Sequence, residues 1–434
     1  MSEQGYQPHP LRNAVAGHVG GGTPSRQVPS YWRGQIPWAS VKDFPEQSGV
    51  IDDTEEHIST SGLNASASNL IPARTPLVCT RMAVGRAAMP SVPMAINQDV
   101  KALFPAPGVS SAYLLKLLQF IQPKAEAQAV GSTVKGIRIQ DYLDIKVPIA
   151  DTDAQPVIAC VLNTLDTTIH ETEAIIAKLK AVKQGLMHDL LTRGIAANGE
   201  LRPLQAEAPH LYKESPLGWI PREWGTPLLL DVSTRVTDGT HQAVTTVADG
   251  GGEVPFLFVS CVRDGEIAWD KAATITKRAY WRISKGREPA AGMVLYTAVG
   301  SYGYAAEVGD TREFAFQRHI ACIYPDERYL VPGFMPLVLN WGPMQGYADR
   351  VALGNAQKTI TLGELSRYPF VCPKKAEQEE IVRRMRAAQE KLNGELESLN
   401  KLRLQKFGLM DDLLTGRVRV TPLLAEAAQQ QGCA

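Results

Sequence analysis

The segment KQGLMHDLLT (183–192) recurs as KFGLMDDLLT (406–415), with eight of ten positions identical. The same offset pairs Gln155 with Gln378, and GSTVKGI (131–137) with GNAQKTI (354–360). Further upstream a slightly shorter offset applies, and LVCTRMAVGRAA (77–88) aligns with LYTAVGSYGYAA (295–306). The chain therefore reads as two tandem copies, each with a variable globular part followed by a more similar helix.

The similar segments predict two long helices that pack along an apolar seam. Apolar residues recur with steps alternating four and three, which is typical of coiled-coil pairing. The predicted packing residues are Ile158, Leu162, Leu165, Ile169, Ile176, Leu179, Ile381, Met385, Leu392, Leu399 and Leu402. Gly194 and Gly416 follow the last periodic turns as C-caps. We expect an antiparallel pair within the chain, with pseudo-two-fold symmetry and helices about 60 Å long, whose remaining faces are free for partner helices.

The globular parts predict short strands, because Val/Ile/Phe/Tyr runs such as VPFLFVSCV (254–262) are separated by Gly and Pro. The predicted fold class is α+β, with two mixed α/β domains joined by the two helices. The predicted boundaries are 1–150 and 228–373 for the domains, 151–195 and 374–418 for the helices, 196–227 for a Pro-rich extended connector and 419–434 for a C-terminal tail.

Composition excludes several classes of protein. Hydrophobic residues make up 44% and charged residues 21%, which is typical of a globular protein rather than a disordered chain. No apolar run approaches the roughly 18 residues that span a bilayer, and the N-terminus lacks a secretion signal, so we expect a cytoplasmic protein. The six cysteines include no Cys-x-x-Cys pair, which argues against a disulfide scaffold or zinc ribbon.

Motifs of catalysis are missing from the sequence. There is no Gly-Lys dipeptide for a phosphate loop, no Pro-Pro dipeptide for an amino-methyltransferase motif and no Gly-x-Ser-x-Gly elbow. The eight histidines form no metal-ligand spacing. These patterns favour a chain with no catalytic residues, no metal and no cofactor of its own.

The arrangement of charge is more informative than its total, since Lys+Arg and Asp+Glu both number 45. KAATITKRAYWRISKGR (271–287) holds six basic residues and no acidic one, whereas TEEHISTSGLNASASNL (54–70), at the matching place of the first copy, is acidic and hydroxyl-rich. Basic groups can neutralise phosphates and aromatic rings can stack on bases, but a solvated edge strand would have the same composition. The candidate DNA contacts are Lys42, Arg81, Arg86, Gln98, Lys101, Thr240, His241, Lys271, Lys277, Arg278, Arg282, Lys285, Tyr302, Gln317 and Arg318.

The pattern resembles the specificity subunits of type I restriction–modification systems. The resemblance covers nearly the whole chain. It is carried by GGTPSRQVPSYWRGQIPWASVKD (21–43), LKAVKQGLMHDLLTRGI (179–195), YKESPLGWIPREW (212–224), DGTH (238–241), AEQEEI (376–381) and FGLMDDLLTGRV (407–418). The chain departs from the family pattern where Ala154-Gln155 stands in place of Glu-Gln, although the second copy keeps Glu377-Gln378.

The resemblance implies two target recognition domains, each reading one half of a split, asymmetric sequence in double-stranded DNA. It implies that the helices fix the unread spacer and dock two methylation subunits carrying S-adenosylmethionine. Restriction subunits, with ATP and Mg, would join that core. Two alternatives remain open from the residues: a coiled-coil adaptor that joins two protein partners without reading DNA, and a stand-alone enzyme.

Overall fold

A computed structural model describes residues 5–45, 49–247, 252–263, 265–354 and 357–420; most of the predicted C-terminal tail lies outside these ranges. The chain divides into two compact units. The first comprises residues 1–176 and 395–434, and the second residues 177–394. Each unit therefore contains one globular part and a segment of each long helix.

The first unit is built on two mixed sheets. Its strands are β1 (Pro8–Pro10), β2 (Val15–Gly20), β3 (Ile36–Ala39), β4 (Val50–Ile51), β5 (His57–Ile58), β6 (Leu70–Ile71), β7 (Leu77–Cys79), β8 (Ala87–Pro90), β9 (Met94–Ile96), β10 (Val100–Pro105) and β11 (Lys146–Pro148). Its helices are α1 (Thr60–Asn64), α2 (Ser111–Phe120), α3 (Gln122–Gln128), α4 (Ile139–Leu143) and the start of α5 (Ala154–Thr192). One sheet has the order β2-β10-β7-β8-β4 and the other β5-β3-β9-β6.

The second unit repeats this strand order. Its strands are β12 (Tyr212–Ser215), β13 (Gly218–Pro221), β14 (Ser233–Asp238), β15 (Val254–Leu257), β16 (Val262–Arg263), β17 (Glu266–Ile267), β18 (Ala273–Ile275), β19 (Val294–Thr297), β20 (Ala305–Glu307), β21 (Ala315–Phe316) and β22 (Ile320–Pro325). Its helices are α6 (Lys277–Ile283), α7 (Phe334–Leu339), α8 (Gly342–Val351), α9 (Leu362–Ser366) and the start of α10 (Lys375–Thr415). The sheet β14-β22-β19-β20 matches β2-β10-β7-β8, and β18-β15-β21 matches β5-β3-β9. In both units the last of these pairings, β3 with β9 and β15 with β21, is parallel.

These elements confirm the mixed α/β character predicted from the sequence. The Pro-rich segment contains a hairpin where the sequence predicted an extended connector. Strands β12 and β13 pair, and Tyr212, Ile220 and Trp224 are buried. Ile220 and Trp224 belong to the main core of the second unit, and this burial outweighs the extended preference of the prolines.

Long helices occur where the apolar ladder predicts them, with 39 residues in α5 and 41 in α10. Among the predicted packing residues, Leu165, Leu179 and Leu402 are half-buried and the others are buried. Gly194 and Gly416 have φ of +64° and +73°, the left-handed geometry of a C-cap. In the first unit Ile158 and Leu162 belong to the same core as Tyr113 and Leu117.

The two helices run antiparallel within each unit. In the first unit Asp166 of α5 pairs with Lys406 of α10, and Glu173 with Arg403, at 2.5 and 2.8 Å. In the second unit Lys183 donates a hydrogen bond to Gln389. In the alignment of the two repeated helix ends, Lys183 corresponds to Lys406 and Gln389 to Asp166. At the same step of the seam a lysine therefore pairs with a carboxylate in one unit and with a neutral amide in the other.

A duplicated glutamine fixes the start of each helix to its globular part. Gln155 accepts a hydrogen bond from the Ser110 N–H at 3.2 Å and donates to the Ala150 carbonyl at 3.0 Å. Gln378 accepts from the Val331 N–H at 3.0 Å and donates to the Pro373 carbonyl at 2.9 Å. Both side chains are buried, so these bonds satisfy backbone groups that water cannot reach.

Ala154 stands where the second unit has Glu377, and the hydrogen bonds at the two places differ accordingly. In the second unit Glu377 accepts hydrogen bonds from the Ile195 N–H, the Trp224 indole and Arg202, which fastens the end of α5 to the start of α10. Alanine cannot accept such bonds at the matching place of the first unit. There the Tyr6 N–H donates instead to the Thr415 carbonyl at 2.8 Å, at the end of α10.

A buried charge cluster joins the first globular part to both helices. Lys116 of α2 has a side chain only 1% exposed, and its ammonium lies 2.5 Å from Asp166, which Lys406 also contacts. Burial lowers the pKa of Lys116, and the Asp166 carboxylate acts in the opposite direction. Asp166 is thus the counter-ion on which a buried lysine depends.

We predict unequal effects for two substitutions in this cluster. Asp166→Ala should lower the free energy of opening the first unit by roughly 3–5 kcal/mol, because it leaves Lys116 buried without a counter-ion. Lys116→Met should cost less than about 1.5 kcal/mol, since the shape is kept and Asp166 retains Lys406. Hydrogen exchange at the amides of residues 154–176 measures both. Equal losses in the two variants would contradict this account of the cluster.

Candidate nucleic-acid interface

Each unit has the same tight turn after the first strand of its larger sheet. A Cβ on Gly21 would overlap the Ile96 carbonyl oxygen, and a Cβ on Gly239 would overlap that of Phe316. The next residue closes the turn in both units: the Gly22 N–H donates to Ile96 O at 3.1 Å, and the Thr240 N–H to Phe316 O at 2.9 Å. Glycine is required because the two backbones approach too closely for any side chain.

In the first unit the turn brings together part of the predicted contact set. Gln98 is exposed and accepts a hydrogen bond from the Thr23 hydroxyl at 2.6 Å. Lys101 lies on β10 opposite Gly20. Arg81 is exposed and lies 3.4 Å from Asp99. Arg81, Gln98 and Lys101 therefore share one region of the first unit.

Two other predicted residues of the first unit are engaged elsewhere. Lys42 is exposed; the hydrogen bond from Arg26 holds the pKa of Glu56 below its usual range, and the charge of Lys42 adds a smaller effect in the same direction. Arg86 is half-buried and donates to the Phe44 carbonyl at 3.3 Å. A half-buried guanidinium bonded to the protein's own backbone is less suited to contact DNA than an exposed one.

In the second unit the turn holds Thr240, His241, Gln317 and Arg318 together. The Arg318 N–H donates to the Thr240 carbonyl at 3.1 Å, and Thr240 and Gln317 form an isolated bridge. Thr240 itself is buried, so its side chain supports the turn. His241 and Arg318 are exposed, and the His241 ring lies 2.6 Å from the Asp238 carboxylate.

The basic run forms a short edge strand followed by a helix. Ala273–Ile275 is β18, at the edge of the sheet β18-β15-β21, and Lys277–Ile283 is α6. Thr276 caps α6 by accepting a hydrogen bond from the Ala279 N–H at 3.2 Å, as threonine commonly does at a helix start. Tyr280 and Ile283 are buried, whereas Arg278 and Arg282 are exposed, which is the amphipathic pattern of a surface helix.

The other members of the predicted set differ in their surroundings. Lys271 and Lys285 are exposed. Lys277 is half-buried and forms an ion pair with Glu313 at 3.4 Å. Tyr302 is half-buried and donates its hydroxyl proton to Asp349 at 2.6 Å. Lys277 and Tyr302 thus have protein partners, which reduces their availability for DNA.

Side-chain bonds attach α6 to the turn of the second unit. The Arg287 Nε donates to the Asp238 carbonyl at 2.9 Å, and Arg235 donates to the Gly286 carbonyl at 2.7 Å. In the first unit Asn69 donates to the Gly20 carbonyl at 2.8 Å. Asn69 aligns with Arg287 and Gly20 with Asp238 at one common offset, so the two units make the same connection with different side chains.

Sequence reasoning missed Arg26, which lies in the same segment as the first turn. Its guanidinium lies 3.7 Å above the Trp32 ring and forms two hydrogen bonds with Glu56, one at 2.8 Å. The hydrogen-bonded Arg26 lowers the pKa of Glu56. The close spacing of Arg26 and Trp32 was visible in the sequence, but only the fold shows that the two stack.

The described residues include neither a metal-binding cluster nor a membrane-spanning helix. No group of three or more His, Cys, Asp or Glu side chains is arranged to hold a metal ion within the described ranges. None of the helices traced there is long and apolar enough to cross a membrane.

Comparison with known proteins gives a consistent result. Residues 15–181 match the family model of the type I restriction modification DNA specificity domain. The MjaIX specificity subunit of Methanocaldococcus jannaschii is 24% identical over 248 residues, which cover 56% of this chain and 54% of the relative. The EcoR124I/EcoR124II specificity subunit of Escherichia coli is 29% identical over 155 residues, covering 34% of this chain and 38% of the relative. The chain thus aligns with about half, or less, of these relatives.

A solved structure shares the fold over nearly the whole chain. The type I restriction–modification S subunit from M. genitalium has a TM-score of 0.56 at 13% identity, and the match covers 95% of this chain and 97% of the other. The mixed α/β units with long helices are therefore the fold of S subunits. The chain thus resembles specificity subunits in two respects: residues 15–181 match their DNA specificity domain, and the fold is shared over nearly the whole chain.

We predict that both turn glycines resist substitution. Gly21→Ala and Gly239→Ala should each destabilise the turn by about 1–3 kcal/mol, because the methyl group must displace a backbone carbonyl. Gly17→Ala is the matched control: it lies on β2 with open space around its Cα. Hydrogen exchange at the amides of residues 22 and 240 reports the effect. Equal losses at all three glycines would show that close approach is not the constraint.

Proposed function

We propose that the chain is the DNA-reading, non-catalytic subunit of a type I restriction–modification complex. Each unit would read one half of a bipartite, asymmetric target in double-stranded DNA. The observation that carries the proposal is the repeated turn with different exposed side chains, found in a chain whose residues 15–181 match a DNA specificity domain. A shared frame with distinct contact residues is what two readers of unlike half-sites need.

The two turns offer different chemistry to base edges and phosphates. In the first unit Gln98 and Thr23 present an amide and a hydroxyl, with Lys101 and Arg81 nearby. In the second unit His241 and Arg318 present an imidazole and a guanidinium. Amides pair well with adenine and guanidinium groups with guanine, so the two readers would prefer different bases.

Partner chains would supply the chemistry. Two methylation subunits would bring S-adenosylmethionine and adenine methylation, and restriction subunits would bring ATP, Mg and cleavage. This chain would hold no cofactor. The adaptor alternative is less well supported, because joining two proteins requires neither a DNA specificity domain nor two differently equipped turns.

The long helices would form an antiparallel coiled coil that relates two duplicated halves by a pseudo-two-fold axis. The matching bonds of Gln155 and Gln378, the repeated strand orders and the pairing of Asp166 with Lys406 support this arrangement. In it, the helices set the spacer between the half-sites and dock the methylation subunits.

Adenine methylation mapped across a genome tests the proposal. Cells with the methylation subunits should show one bipartite methylated motif when this chain is present, and lose it when the chain is absent. The pure chain with S-adenosylmethionine and DNA should transfer no methyl group. Methylation by the chain alone would favour a stand-alone enzyme, and an unchanged map would favour the adaptor.

Shortening both helices should change the spacer. Removing 170–176 and 397–403, which lie around the pair Glu173 and Arg403, deletes one heptad from each helix and about 10 Å of length. The methylated motif should keep its half-sites and lose about three base pairs of spacer, at roughly 3.4 Å per pair. A motif with the original spacer would refute the role of the helices in spacing.

A further inference from the structure

The exposed face of α6 carries positive charge without a counter-ion among the residues that the structure describes. Arg278 and Arg282 are four residues apart, and so share one face of the helix. Both are exposed, and neither forms an ion pair with any residue that the structure describes. Trp281, 63% exposed, lies between them in sequence, while Tyr280 and Ile283 face the core. Packing in the core therefore explains the presence of Tyr280 and Ile283, but it does not explain the exposed indole or the two exposed guanidinium groups.

The corresponding helix of the first unit has none of these groups. α1 occupies the same place relative to the sheets, since it follows β5 as α6 follows β18. Its sequence is TSGLN (60–64), without a charged or aromatic residue, and Ser59 caps it as Thr276 caps α6. The residues before α1 include the acidic Glu55 and Glu56. The helix is thus uncharged in the first unit and basic at the equivalent place of the second.

The basic face is coupled to the turn that presents His241 and Arg318. Arg287, just after α6, donates to the Asp238 carbonyl, and Asp238 in turn holds the His241 ring. A second bond, from Arg235 to the Gly286 carbonyl, fixes the same segment to β14. Because these bonds tie the segment after α6 to β14, the basic face and the turn belong to one rigid part of the second unit.

We propose that this face of α6 is the ionic anchor of the chain on double-stranded DNA, binding backbone phosphates through Arg278 and Arg282, and that the first unit engages DNA without such an anchor. The inference rests on the proposed function and adds that the two units contribute differently to DNA binding. The second unit supplies most of the sequence-independent affinity, and Trp281 adds apolar contact with sugar or base. The first unit reads its half-site through Gln98 and Thr23, with Lys101 and Arg81 beside them but no basic helix.

The salt dependence of DNA binding tests the anchor. Each phosphate contact contributes about −0.9 to the slope of the logarithm of affinity against that of salt concentration. The full chain with its methylation subunits, binding a random-sequence duplex, should lose close to two units of slope in Arg278→Gln/Arg282→Gln. Arg278→Lys/Arg282→Lys keeps the charge and should keep the slope. Trp281→Ala should weaken binding and leave the slope unchanged, because indole is neutral.

Two control variants locate the effect. Lys124→Gln/Lys146→Gln removes two exposed charges from the first unit, outside the helix pair, and should leave the slope unchanged. Thr60→Ala/Asn64→Ala alters the matching helix of the first unit and should also leave it unchanged. An unchanged slope in Arg278→Gln/Arg282→Gln, or equal losses in Lys124→Gln/Lys146→Gln, would overturn the anchor while DNA binding itself persists. Wild-type binding that is absent or independent of salt would instead refute the proposed function.

Discussion

The need of each long helix to bury one apolar stripe governs the structure. In each unit the stripe is covered by the partner helix and also by the globular part: Ile158 and Leu162 enter the core around Tyr113, and Ile381 and Met385 enter the core around Phe334. The start of each long helix therefore shares a hydrophobic core with the globular part of its unit, beside smaller separate clusters. Buried Gln155 and Gln378 add directional bonds at the places where the helices begin.

The two units share their apolar framework and differ in their polar and charged side chains. The strand orders agree, and both turns depend on a glycine that meets a carbonyl oxygen. The differences lie in the charges: Asp166 against Gln389 in the helix seam, Asn69 against Arg287 at the turn, and α1 against α6 on the surface. A common frame can thus carry two separate recognition chemistries, since surface side chains change without disturbing the core.

The apolar periodicity and the internal repeat predicted most of the framework of helices and strands. The apolar ladder located α5 and α10, and the internal alignment of 77–88 with 295–306 falls where β7 and β8 match β19 and β20. Composition was a poorer guide to secondary structure in segments whose conformation depends on packing. The prolines of 196–227 suggested an extended connector, whereas β12 and β13 pair there as a hairpin, with Tyr212, Ile220 and Trp224 buried. The basic run allowed an edge strand or a DNA-contacting surface, and it contains both edge strand β18 and helix α6 with exposed arginines.

The candidate site was the hardest part to predict. Gln98 was chosen for its residue type, but its partner Thr23 is distant in sequence and only the fold joins them. Tyr302 and Lys277 carry the right chemistry and are held by Asp349 and Glu313. Whether a side chain is free or engaged depends on long-range packing, and local sequence does not record it. The DNA contacts as a set stay a prediction.

The division of the chain has a consequence for how it is made. The second unit is continuous, residues 177–394, whereas the first needs 395–434 to complete it. The bond from the Tyr6 N–H to the Thr415 carbonyl joins an early residue to a late one. Domains generally fold as units during synthesis, with the N-terminal one first. Here the order is reversed: the second unit is complete in the chain before the first, and the part of the α5 stripe that faces α10 in the first unit stays uncovered until the final helix emerges.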